Sequence, residues 1–92
     1  DFTADWCITC KANERFAIDT PQVRSAFAQR KVVTLRADWT NGDAYITELL
    51  RQHGRAGVPL YLYYPPGGPN QVPVVLPELI NSQMVLDTLR KG

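Results

Sequence analysis

The stretch Asp1-Phe2-Thr3-Ala4-Asp5-Trp6-Cys7-Ile8-Thr9-Cys10-Lys11 decides how this chain is read. Asp1 to Ala4 reads as the end of a strand. The chain's two cysteines follow at once, three positions apart. Tetrahedral zinc wants four ligands, and His53 is the one remaining soft candidate, so no metal site is expected. A purely structural disulfide here would close a loop of only four residues, Cys7 to Cys10, and would constrain the unfolded chain little. A Cys-x-x-Cys at a strand–helix junction reads instead as a redox dithiol. At a helix N-terminus the macrodipole and the free N–H groups favour thiolate, the nucleophilic form. The second cysteine lies one turn on, on the same face. Cys7 is therefore expected to be the exposed attacking thiol, and Cys10 the more buried one that resolves a mixed disulfide.

Outward from this stretch, Cys7 to about Phe16 reads as a helix. Thr20-Pro21 looks like an N-cap with proline in the first turn, opening a short helix to about Gln29. The β-branched run Val32 to Ala37 reads as a strand. Asn41-Gly42 marks a turn. Ile46, Leu49 and Leu50 recur at helical spacing between Asp43 and His53, with Gly54 as C-cap. Val58 to Tyr64 is the strongest strand signal, with Tyr61 and Tyr63 on one face. A turn at Pro65 to Asn70 and a returning strand Val72 to Leu76 suggest an antiparallel hairpin, with Pro73 restricting its second strand to an edge. Asn81 or Ser82 caps a last helix with Val85, Leu86 and Leu89 inward. An early crossover and a late hairpin imply an α/β domain with a mixed sheet flanked by helices.

Composition narrows the function classes. The chain has 92 residues, enough for one small domain, and a formal net charge of +1. That balance gives no field-based reason to expect nucleic acid or an anionic membrane surface as partner. Apolar residues make up 45% and charged residues 21%, which argues against disorder. The longest uncharged stretch, Ala56 to Pro77, holds six prolines and is no membrane span. No basic segment followed by an apolar one opens the chain, so no signal peptide is expected in it.

Trp6-Cys7-x-x-Cys10 after a strand, with Gly57-Val58-Pro59 entering a later one, resembles the thioredoxin fold. A nearer resemblance is to the C-terminal thioredoxin-like domain of the DsbD thiol:disulfide interchange family, including its copper-sensitivity suppressor relatives. It is carried by Asp1 to Lys11, Arg36-Ala37-Asp38-Trp39-Thr40-Asn41, Gly57 to Gly67 and Pro73-Val74-Val75-Leu76-Pro77-Glu78. The resemblance implies a thioredoxin-like fold, N-terminally truncated, forming one domain over residues 1–92 and belonging to a larger membrane protein. It implies a cis bond before Pro59, facing the dithiol. It also implies a place on the periplasmic side of the bacterial inner membrane. There the domain would take electrons from a membrane-embedded redox domain of the same protein and hand them to periplasmic thioredoxin-fold or disulfide-containing partners. Beyond the redox-active Cys7–Cys10 disulfide, no cofactor is implied.

Several neighbours of the dithiol are expected to modulate it. Asp1 matches the buried acid behind the thioredoxin dithiol, and Glu14 lies one turn past Cys10. Negative charge there disfavours the Cys7 thiolate, and such a carboxyl could exchange a proton with Cys10. A fraying terminus and a solvated helix carboxylate are the plainer readings of these two. Trp6 is expected to shield one side of the pair. Val58 and Pro59 are expected to offer backbone to an extended partner segment. Trp39 and Met84 read as core or half-core residues, and Lys11 as solvated. Two other functions stay open: a disulfide oxidase or isomerase, since the motif does not set direction, and a thioredoxin-fold module holding Cu(I) between the two thiolates. The missing first strand that the resemblance implies would leave a sheet edge uncovered, and pairing of two copies there would follow from that loss alone.

Overall fold

The computed structural model describes residues 1–66 and 72–91. In chain order its elements are β1 (Phe2–Thr3), α1 (Ile8–Asn13), a π-helical continuation (Glu14–Ile18), α2 (Pro21–Gln29) and β2 (Ala37–Asp38). Then come α3 (Ala44–Gln52), β3 (Leu62–Tyr63), β4 (Val74–Val75) and α4 (Ser82–Lys91).

The sheet is mixed, as its sequence pattern predicts. β1 runs parallel to β2, with Phe2 opposite Ala37 and Thr3 opposite Asp38. On its other edge Phe2 forms an antiparallel bridge with Leu60, donating to the Leu60 carbonyl at 2.9 Å. The chain that leaves Leu60 continues into β3, which pairs antiparallel with β4, Leu62 opposite Val75. Two ladders are thus joined through Phe2 and Leu60, and β1, the strand that leads to the cysteines, lies inside.

Three of the helix starts are side-chain caps. Thr20 Oγ1 accepts from the Val23 N–H, Asp43 Oδ1 from Ile46 and Asn81 Oδ1 from Met84. Each satisfies a donor that the first helical turn leaves unpaired. α3 ends where Gly54 takes φ +73°, a conformation that needs no Cβ penalty only in glycine. His53, just before it, holds the Leu49 carbonyl through Nδ1 at 2.9 Å.

The main core gathers Ala17, Val23, Tyr61, Leu76, Ile80 and Val85, with Phe27, Tyr63 and Leu86 packed against it. It joins the π-helical segment, α2 and α4 to the hairpin. Tyr61 and Tyr63 both face this core while Tyr64 is exposed, in keeping with strand alternation. The Tyr61 hydroxyl is buried with no hydrogen-bond partner among the described residues, and burial pushes its phenol up from the ordinary value.

Three expectations are corrected. The run Val32 to Ala37 is not a strand: pairing with β1 begins only at Ala37. Upstream of it, Val33 and Leu35 are exposed, and the Leu35 carbonyl accepts from the Asp1 nitrogen at 3.2 Å, where this chain begins. β-branching favours a strand only where a neighbouring strand supplies a ladder. The first helix is not uniformly α: from Glu14 it widens to π geometry and ends at Ile18, two residues later than its sequence predicts. The strands Val58 to Tyr64 and Val72 to Leu76 form ladders only at Leu62–Tyr63 and Val74–Val75. The connecting turn, from Gly67 onward, lies outside the described residues.

Candidate active site

β1 delivers the chain to a tight turn, where the Cys7 N–H donates to the Ala4 carbonyl at 3.1 Å. Cys7 is the N-cap of α1, and its Sγ accepts the Cys10 N–H at 3.1 Å. The sulfur thus occupies the place a capping hydroxyl takes in other helices. Cys7 and Cys10 are joined as a disulfide, with Cα atoms 5.2 Å apart. Cys10 is fully buried, while Cys7 retains 7% exposure. The order of exposure matches the spacing argument. The expectation of an exposed Cys7 does not hold, because Ala4 and Val58 pack over the pair.

Val58 closes that small cluster, and the Val58–Pro59 bond is cis. Pro59 is buried. The loop between α3 and β3 thereby comes to lie against the dithiol, although some fifty residues separate them in the chain.

Trp6 is exposed but tethered: its Nε1 donates to the Thr40 carbonyl at 3.0 Å. Thr40 Oγ1 accepts from the Asp5 N–H and donates to Asp38 Oδ1 at 2.5 Å. Two hydrogen bonds from Thr40, side chain and backbone, hold the Asp38 carboxyl below the usual aspartate value. The Trp6 ring also meets Trp39, centroids 5.8 Å apart at 57°.

Glu14 and Asp1 lie on another flank. Glu14 accepts from Thr3 Oγ1 at 3.4 Å and pairs with Arg36 at 3.5 Å. One Asp1 carboxylate oxygen is buried without a partner among the described residues. Asp1 and Glu14 thus share the neighbourhood of β1, and Glu14 is matched by a cation rather than left as a bare charge. No hydrogen bond joins either carboxylate to a cysteine among the described residues.

Two features escape sequence reasoning. Asn13, one turn past Cys10, is buried; its Nδ2 donates to the Glu78 carbonyl at 2.7 Å and its Oδ1 accepts from the Ile80 N–H at 3.2 Å. Arg55 grips the same loop, through Glu78 at 3.0 Å and the Leu76 carbonyl at 3.2 Å. An asparagine inside a helix, where it competes with the backbone, was the available signal for the first. Nothing local marks the second. Among the described residues no group of three or more His, Cys, Asp or Glu side chains converges.

Comparison with known proteins gives a consistent result. A family model described as thioredoxin-like matches residues 1–66. The thiol:disulfide interchange protein DsbD of Ralstonia nicotianae is 36% identical over 92 residues, covering all of this chain and 15% of that protein. DsbD of Escherichia coli K12 is 38% identical over 64 residues, 70% of this chain and 11% of that protein. The chain therefore spans a small part of the curated relatives it matches. The reduced DsbD C-terminal domain of Neisseria meningitidis superposes with a TM-score of 0.76 at 22% identity, over 99% of this chain and 76% of that one. Its oxidised form gives 0.73 at 23% identity over 99% and 75%.

Proposed function

Since the chain belongs to the thioredoxin-like family, we propose that it exchanges dithiol for disulfide through Cys7 and Cys10, as the electron-delivering periplasmic domain of a larger membrane protein. The observation that carries this is the Cys7–Cys10 disulfide at the mouth of α1, packed against Val58 beside Pro59. In the reduced state the Cys7 thiolate attacks one sulfur of a partner disulfide. A Cys7–partner disulfide forms and the partner's other sulfur leaves as thiolate, which takes a proton. Cys10, having lost its own proton, attacks Cys7 Sγ; the intramolecular disulfide closes and the partner's second thiol is released. Two electrons pass to the partner. The oxidised pair then takes two electrons and two protons back from the dithiol of a membrane-embedded domain of the same protein.

The local geometry favours the first step. The Cys10 N–H already points at Cys7 Sγ, and the α1 dipole adds positive potential there, so a thiolate at Cys7 is stabilised when the disulfide opens. Val58 and Pro59 lie where an extended partner segment would cross the sulfur. No described helix is long and apolar enough to cross a membrane, so the anchoring we propose resides in other parts of the larger protein.

Reduced Cys10→Ser protein mixed with a disulfide-bonded protein is expected to accumulate a mixed disulfide at Cys7 by mass spectrometry; Cys7→Ser protein is not. Glutathione redox buffers then give the direction. A midpoint near that of thioredoxin-like donors supports electron delivery. A midpoint near that of disulfide-forming enzymes makes the domain an oxidase.

A further inference from the structure

The exchange site has two halves that meet where Val58 packs on Ala4 and Cys7, and from another side one aromatic ring touches both. One half is the turn Ala4 to Cys7, the other the loop Gly57 to Pro59. Trp39 follows β2 and is fixed at the backbone, its N–H donating to the Thr3 carbonyl at 2.7 Å and its carbonyl accepting from Gly42 at 2.9 Å. Its Nε1 donates to Thr47 Oγ1 of α3 at 2.8 Å, which sets the ring's orientation. From there the ring meets Trp6, the residue before Cys7. The far edge of the same ring lies on Gly57: a Cβ at that position would stand 3.4 Å from Trp39 Cζ3 and 3.8 Å from Cη2. These are van der Waals distances, so the loop at Gly57 packs directly against the indole.

We propose that Trp39 is a positioning residue of the exchange site, its indole setting the gap between the Trp6–Cys7 turn and the Gly57–Val58–Pro59 loop. The inference rests on the reading of Cys7 as the attacking thiol and of Val58–Pro59 as the platform for a partner's chain. An extended polypeptide that carries the target disulfide must lie on the platform and present its sulfur to Cys7 at once. Its reaction depends on the gap, because small displacements of aligned groups cost large factors in rate. A small disulfide needs only Cys7. Trp39 therefore acts on the choice between protein and small-molecule disulfides, through two loops and not through the sulfur.

The test measures, for the reduced domain, the rate of insulin disulfide reduction and the rate with 5,5′-dithiobis(2-nitrobenzoate). In Trp39→Leu protein the ratio of the two rates is expected to fall about tenfold, through KM for insulin. Trp39→Phe retains a ring between Trp6 and Gly57 and is expected to restore most of the ratio. Thr47→Val loses only the hydrogen bond that orients the ring. It is expected to lower the ratio about threefold, and it decides the matter if Trp39→Leu fails to fold. An unchanged ratio in these variants, or an equal loss of both rates, overturns the positioning role. If the wild-type domain reduces neither disulfide, the proposed function itself fails.

Discussion

The two sides of β2 are built differently. Toward the cysteines, segments far apart in the chain are joined by directional contacts: Trp6 to Thr40, Thr40 to Asp38 and Asp5, Trp39 to Thr47, Asn13 to the loop before α4. On the other side, residues 32–36 with Phe27, Tyr45, Ile46 and Leu49 line an open cleft of about 1180 Å³. There Val33, Leu35 and Tyr45 stand more than 70% exposed. Both sides contain apolar side chains and hydrogen bonds; on the cleft side these include backbone bonds from Val32 to the Phe27 carbonyl at 2.9 Å and from Asp1 to the Leu35 carbonyl at 3.2 Å, while toward the cysteines side chains reach across distant segments. Burial alone is non-directional, whereas an indole N–H aimed at one carbonyl admits few arrangements. Among the described residues, most side-chain hydrogen bonds that join distant segments gather around the dithiol.

The comparison can be broken most forcefully at Asn13. Asn13→Leu leaves the Glu78 carbonyl and the Ile80 N–H without partners, and is expected to cost about 3 kcal/mol in urea unfolding. A cost below about 1 kcal/mol would mean that the loop before α4 does not depend on this brace. Trp6→Phe keeps the ring and removes the bond to Thr40. About 1 kcal/mol is expected from it, together with increased mobility of residues 39–41 in amide relaxation measurements.

Asp38 sharpens the picture through pH. Its carboxyl is held below the ordinary value by Thr40, so the ionised form is the one the folded state prefers. Its contribution is complete above the unfolded aspartate value and is lost as pH falls through the lower folded value. The Thr40 amide resonance is expected to titrate below the usual aspartate range and to stop titrating in Asp38→Asn protein. The smallest effect belongs to the cleft: Leu35→Ser is expected to change stability by no more than about 0.5 kcal/mol. A larger loss would show that Leu35 is covered in solution.

What could be read from the sequence follows the same division between local and distant causes. The cysteine spacing, the cap at Thr20, the choice of Asn81 or Ser82 for the last helix, which falls to Asn81, and the alternation of Tyr61, Tyr63 and Tyr64 are decided within a few residues. All of them stand in the structure. Val32 to Ala37 carries a strand pattern of which the described residues pair only the end, Ala37 opposite Phe2. The π geometry from Glu14 onward has no sequence period of its own to betray it. Trp39 reads as a half-core aromatic, which it is, but its partners Trp6, Thr47 and Gly57 come from three other elements. Glu14 reads correctly as a residue one turn past Cys10; its pairing with Arg36 depends on where β2 lies.

The brace at Asn13 also bears on how the chain acquires its shape. Its two bonds span 65 and 67 residues of sequence. Contacts of such separation form late, after the entropy of closing the intervening loop has been overcome. During synthesis from the N-terminus both cysteines emerge long before the segment around Glu78 and Ile80 exists. The first helix thus begins its life without the loop that anchors its end. The cover over the dithiol itself, Ala4 and Val58, comes from segments made before that loop, so the site is closed over before its helix is anchored.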